Sequence, residues 1–131
     1  MARTIDGVWI GDGPCTVVPQ GASDTDIGLT VSTALSQTRL GVPHPSQTEW
    51  KEVGRPTLEA AGVKNWRAFA KGARSLSISS DASGTITVIP SRSVGSNGAF
   101  LDIPGASSIL GAPSTAEALG AAVRRQLEVS E

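Results

Sequence analysis

Between residues 24 and 36 apolar side chains return at Ile27, Val31 and Leu35, with the smaller Thr30 and Ala34 on the same face. That spacing predicts one stripe of an α-helix. Ahead of it, Ser23 or Asp24 can accept a hydrogen bond from a first-turn amide, and Asp26 adds favourable charge there. A second stripe, Leu119, Ala122, Val123 and Leu127, predicts a helix near the other end. Ser114 and Glu117 stand before it at capping-box spacing, and Arg124, Arg125 and Glu128 fall on its wet side. Between the two helices the period changes to two. LSIS (76–79) and TITVI (85–89) alternate apolar with hydroxyl residues, as half-buried strands do, and SDASG between them reads as a hairpin loop. Shorter β-prone runs are VWI (8–10), CTVV (15–18) and AFLDI (99–103). GDGP (11–14) predicts a tight hairpin joining the first two, and Pro19 ends the second or places it at a sheet edge. SRSVGSNG (91–98) and GASSILGAP (105–113) read as loops.

The two ends of the chain echo each other. DGPCTVVP (12–19) and NGAFLDIP (97–104) share Asp or Asn, then Gly, four variable residues, a β-branched residue and Pro. Each is followed, after a loop, by a helix with one skeleton, IGLTVSTAL (27–35) and LGAAVRRQL (119–127). Gly28 and Gly120 hold the same place in the two helices. A helical glycine costs about 1 kcal/mol relative to Ala, so its recurrence predicts a backbone, taken to be a strand, passing close at each position. A phosphate cradle is the poorer reading, because neither copy gives G-x-G-x-x-G after a strand or the lysine of a P-loop. The unrepeated middle, residues 46–74, predicts three short helices. The first carries Trp50, the second starts near Pro56 and closes at Gly62, and KNWRAFAKGAR (64–74) sets Trp66, Phe69, Ala70 and Ala73 on one face with Lys64, Arg67, Lys71 and Arg74 toward the other.

The fold class that follows is α/β of the α+β type. It has one mostly antiparallel β-sheet with amphipathic helices packed against it, built around a degenerate strand-loop-helix repeat. At 131 residues the chain reads as a single domain spanning 1–131: a first repeat unit at about 8–39, the helical middle at 46–74, and a β-rich second unit at 75–128.

Composition narrows the chemistry. A net charge of −1 argues against both a general basic nucleic-acid binder and an acidic mimic. Cys15 is the only cysteine, which excludes an internal disulfide and suits a reducing cytosol. No apolar run approaches a signal sequence or the roughly 20 residues of a membrane span, so the expected location is cytoplasmic. His44, the only histidine, sits between two prolines and reads as a loop residue rather than a catalytic base. Cys15, in a predicted strand without a basic neighbour, reads as a buried, inert thiol. One His and one Cys cannot build a zinc tetrad, and the carboxylates lack calcium-loop spacing. Asp24 and Asp26 serve a helix start. The expectation is therefore no catalytic residues, no metal, no cofactor and no small-molecule substrate. Trp50 stands among polar and charged neighbours (QTEWKEVGR) as either a core anchor or an interface hot spot.

GASDTDIGLTVSTALSQTR (21–39), KNWRAFAKGARSLSISSDASGTITVIPSR (64–92) and NGAFLDIP…LGAPSTAEALGAAVRRQL (97–127) together resemble, in order, the immunity proteins of bacterial contact-dependent growth inhibition. The resemblance implies a non-enzymatic inhibitor that binds and neutralises the C-terminal domain of a secreted toxin, typically a nuclease. The expected recognition patch lies outside the repeat: Glu49, Trp50 and Glu52 in one segment, Arg92 and Asn97 in the polar loop. The rival reading is a small nucleic-acid-binding or regulatory module that uses the basic face of a 64–74 helix.

Overall fold

A computed structural model describes residues 1–7, 9–10, 15–50, 52–94, 99–112 and 114–131. The larger sheet is built on β5 (Ile86–Val94), whose first half pairs antiparallel with β4 (Leu76–Ser80). On the other side of β5, β6 (Ala99–Asp102) pairs with its second half and β7 (Ser108–Leu110) with its first. A 3-10 turn, Pro104–Ala106, bridges β6 and β7. Pro90, which has no amide hydrogen to donate, falls in β5 where the flanking chain passes from β6 to β7, and its carbonyl still accepts from the Ile103 amide at 2.7 Å. The predicted strands at 76–79, 85–89 and 99–103 are all present. Two predicted loops are not: residues 91–94 continue β5, and residues 108–110 form β7.

A second, three-stranded sheet takes the order β2 (Trp9–Ile10), β1 (Ala2–Thr4), β3 (Arg39–Val42). β1 runs antiparallel to β2 and parallel to β3. A parallel pair needs a crossover, and α1 (Asp24–Ser36) provides it. Residues 15–18 belong to no strand, so β2 does not find the partner its sequence predicts and pairs with β1 instead. The predicted turn at 11–14 lies outside the described residues.

Both long helices form where the stripes place them. Ser23 caps α1, its hydroxyl accepting from the Asp26 amide. For α5 (Ala116–Val129) the cap is Thr115, accepting from the Ala118 amide, and not Ser114, whose hydroxyl donates to the Gly111 carbonyl. The core is Val88 of β5 with Leu119 and Val123 of α5, joined by Ile27, Val31, Leu76, Ile78, Ile86, Leu110 and Leu127. Thus α5 covers the larger sheet and α1 packs mainly on α5.

The glycine pair corrects one expectation. A close backbone does approach each of them, but it is the other helix rather than a strand. A Cβ on Gly28 would overlap the Ala116 carbonyl and lie 2.9 Å from Ala116 Cα. A Cβ on Gly120 would overlap the Asp24 carbonyl and lie 2.8 Å from Asp24 Cα. Each glycine thus seats the first residue of the partner helix, with the order of contacts reversed between the two. The crossing is closed by Arg124, whose Nε lies 2.6 Å from Asp24 Oδ1 and whose guanidinium also donates to the Ala22 carbonyl.

Candidate functional site

Residues 44–74 present the helical middle as an exposed lobe. None of α2 (Gln47–Trp50), α3 (Arg55–Ala61) and α4 (Trp66–Ala70) holds a buried residue. Ser46 and Glu49 make a reciprocal capping box that starts α2: Glu49 Oε1 accepts from the Ser46 amide at 3.1 Å, and Ser46 Oγ accepts from the Glu49 amide at 3.2 Å. The Ser46 amide, then its hydroxyl, hold the Glu49 carboxyl below the usual glutamate range. Trp50 closes α2 and is 48% exposed. Its ring meets that of His44 at 5.6 Å between centroids, and His44 Nδ1 lies 3.9 Å from Asp6 Oδ2. Glu52 pairs with Arg55 at 2.8 Å, both largely exposed.

Of the expected recognition residues, Glu49, Trp50 and Glu52 therefore share one segment. Arg92 stands elsewhere, on β5 opposite Leu101 of β6, and is exposed. Asn97 lies outside the described residues. Among the described residues, no hydrogen bond or ion pair joins Arg92 to the Trp50 segment. Sequence reasoning missed His44 as the partner of the Trp50 ring, a contact across a loop that no periodicity signals. It also did not read Ser46 and Glu49 as a capping box, although their spacing is that of one.

Beyond α2, Pro56 opens α3 and Gly62, in the left-handed region at φ 70°, closes it as expected. The predicted 64–74 helix is cut short. Asn65 caps α4 through a bond from the Ala68 amide, Lys71 is already extended, and Gly72 takes φ 73°. A single face carrying Lys64, Arg67, Lys71 and Arg74 does not exist. Arg74 is committed elsewhere: its Nη1 donates to the Leu127, Glu128 and Ser130 carbonyls at 2.8, 3.2 and 3.2 Å, capping the C-terminal end of α5. Trp66, expected in a core, is 39% exposed and rests on Gly54, where a Cβ would collide with its ring. Phe69 meets it edge-on at 5.2 Å.

Two further groups test the expectation about chemistry. Cys15 is exposed rather than buried. On the larger sheet, Asp102 Oδ1 accepts from the hydroxyls of Ser77 at 2.8 Å and Ser91 at 3.1 Å, tying β4, β5 and β6 together. The cluster serves as a polar clamp between the three strands. In the β4–β5 loop the Ser83 hydroxyl, then the Thr85, Ser83 and Gly84 amides, hold the Asp81 carboxyl below the usual aspartate range. Among the described residues no group of three or more His, Cys, Asp or Glu side chains can hold a metal ion, and no helix is long and apolar enough to cross a membrane.

The arrangement is a packed sheet-and-helix body bearing an exposed aromatic lobe, a form suited to binding a partner. Comparison with known proteins bears directly on which. The family model of CDI immunity proteins matches residues 11–130. The chain belongs to that family. No curated protein matches it. Among solved structures, a protein of unknown function from Neisseria meningitidis is similar at TM-score 0.79 and 22% identity, over 99% of this chain and 85% of the other. A CdiA-CT/CdiI toxin and immunity complex from Yersinia pseudotuberculosis is similar at TM-score 0.72 and 21% identity, over 88% of this chain and 79% of that one. At these identities the likeness establishes a shared fold. The immunity-protein fold here is of the expected α+β class, with a mostly antiparallel sheet and helices packed against it.

Proposed function

We propose that this immunity-family chain binds the C-terminal toxin domain of its cognate CdiA protein in the cytoplasm and neutralises it by occupation, without catalysis, and that the toxin is a nuclease. The observation that carries the reading is the family match across residues 11–130. The exposed Trp50–His44 pair supports it, because aromatic anchors in a polar rim are the usual hot spots of tight interfaces. Glu49 and Glu52 remain exposed beside it, and their free oxygens are suited to the basic groups that a nuclease uses to hold phosphates. Arg92, exposed on β5, and Asn97 are proposed as further toxin contacts apart from the Trp50 segment.

The test is co-expression with the C-terminal domain of the exported protein encoded beside this chain. The expected outcome is a stoichiometric complex and a toxin domain that degrades nucleic acid alone but not in the complex. A toxin domain that is neither bound nor silenced would overturn the reading, and one that is bound but cleaves no nucleic acid would remove the nuclease assignment. Within a complex that forms, Trp50→Ala should weaken affinity by about 2 kcal/mol, roughly thirtyfold in Kd, measured by calorimetry.

A further inference from the structure

The Trp50 indole is fixed at few points. Its backbone amide donates to the Ser46 carbonyl at 2.8 Å, which holds α2 but not the ring. Among the described residues the indole nitrogen has no hydrogen-bond acceptor, and the ring that meets it is that of His44, tilted 33° at 5.6 Å. His44 belongs to neither helix nor strand, and Pro43 and Pro45 restrict the backbone on either side of it. The Val42 carbonyl, at the end of β3, accepts from the Ile5 amide at 2.9 Å, so the chain enters the lobe beside the turn at residues 5–7. That placement brings Asp6 Oδ2 to 3.9 Å from His44 Nδ1. One imidazole thus stands between a carboxylate beside the smaller sheet and the exposed aromatic ring of the lobe.

We propose that His44 is the positioning residue of the Trp50 ring, and that its imidazolium form latches the lobe to the smaller sheet through Asp6, so that toxin affinity falls as pH rises and the imidazole loses its proton. The inference rests on the immunity reading and names a regulation of the same Trp50 site. The two protonation states differ in what they offer their neighbours. An imidazolium donates from both ring nitrogens and is attracted to a carboxylate, and a cation within roughly 6 Å of an indole face is attracted to it as well. A neutral ring keeps the stacking contact and loses both attractions. On β1 the charged side chain is Arg3, whose guanidinium lies 3.6 Å from where a Gly7 Cβ would stand and is positive in both states. On α2 one Glu49 oxygen is held by the Ser46 amide, and beyond it Glu52 pairs with Arg55. Arg39 lies at the far end of β3, opposite Ala2. The proton on His44 is therefore the change that Asp6 and Trp50 sense. Asp6 also offsets the imidazolium charge, which would otherwise oppose the basic toxin groups expected at Glu49 and Glu52. His44 and Asp6 are both exposed, and exposed pairs are weak, so the latch shifts a population of ring orientations rather than closing outright.

The experiment follows the Trp50 indole N–H resonance of the full chain by NMR between about pH 5 and 8, assigned through Trp50→Phe, and measures toxin affinity by calorimetry near both ends of that range. Wild type is compared with His44→Gln and Asp6→Asn. Both substituted side chains are exposed, so the unfolding midpoint should be nearly unchanged. In wild type the indole resonance should move together with the His44 ring protons. Asp6→Asn should shrink that movement, and His44→Gln should abolish it. The ratio of affinities at low and high pH should be about threefold larger in wild type than in His44→Gln, with Asp6→Asn between them. An indole resonance indifferent to the titration of His44, or an affinity ratio that His44→Gln leaves unchanged, overturns the proposal and leaves the immunity reading in place. An indole that moves equally in Asp6→Asn assigns the movement to stacking alone and removes the latch. A wild-type chain that binds the toxin at neither pH overturns the immunity reading and the affinity claim with it, while the indole titration still decides whether the latch exists.

Discussion

Gly28 and Gly120 are the positions where one atom decides the packing. A methyl group at either would enter the carbonyl of the partner helix's first residue, and a backbone carbonyl cannot rotate aside as a side-chain tip does. Gly28→Ala and Gly120→Ala should each therefore lower stability by about 3 kcal/mol or more in denaturant unfolding, despite the better helix propensity of alanine. An unchanged or raised midpoint would show that the helices separate freely. This pair was half legible in the sequence. Recurrence of glycine at one place in two stripes pointed to a close approach, but nothing in a one-dimensional pattern says whether helix or strand approaches. Other single residues were legible only by their local geometry. Ser46 and Glu49 carry the spacing of a capping box, a local role that one carboxylate oxygen of Glu49 fills. Trp66 was misread because its core role needed a helix running to Ala73, whereas α4 ends at Ala70 and leaves the indole on Gly54.

At the scale of elements, sequence legibility follows length and redundancy. α1 and α5 are long enough for period and cap to agree, and the β4–β5 hairpin has clear alternation on both sides of a turn-rich loop. β7 is three residues of SIL, and the far half of β5 reads SRSV, too short or too polar to announce a strand. Both are strands because neighbours offer hydrogen bonds in register, a tertiary cause. Residues 15–18 are the converse case: Thr16, Val17 and Val18 favour a strand by side chain, yet they form none, and β2 takes β1 as its partner. Between elements, Arg74 is the tie with the clearest consequence. It joins the chain leaving the helical lobe to the last carbonyls of α5, and no other charged side chain is recorded there among the described residues. Arg74→Ala should cost about 1–2 kcal/mol, because it leaves those carbonyls without their charged donor. Arg74→Lys should recover part of the loss, and equal stability of all three proteins would deny the cap its role.

For the molecule as a whole, the structure divides into a packed body and a thin lobe. The body holds the fully buried Val88, Leu119 and Ala122, whereas α2, α3 and α4 bury nothing completely. Under native conditions trypsin should cut first at Lys64 or Arg67 and leave Arg124 and Arg125 of α5 intact, as read by mass spectrometry of the early fragments. Simultaneous cleavage in α5 would mean that body and lobe open together. A bound toxin domain that uses this lobe should slow those first cuts. The same division explains why the body was more legible than the lobe. Packing imposes periodicity on the body, whereas the lobe buries too little to acquire one, so Trp50 and the carboxylates beside it stood out only as departures from pattern.

The Asp24–Arg124 contact joins residues 100 apart in the chain. During synthesis the β4–β5 hairpin can close by itself within about 1–10 μs, but its apolar face has no cover until α5 emerges from the ribosome. α1, made far earlier, must wait for the same helix before its own stripe is seated. Closure over so long a loop is slow in comparison, and it makes completion of the core wait for α5. Any activity that needs the folded body therefore waits until α5 has been synthesised, however early the lobe is made.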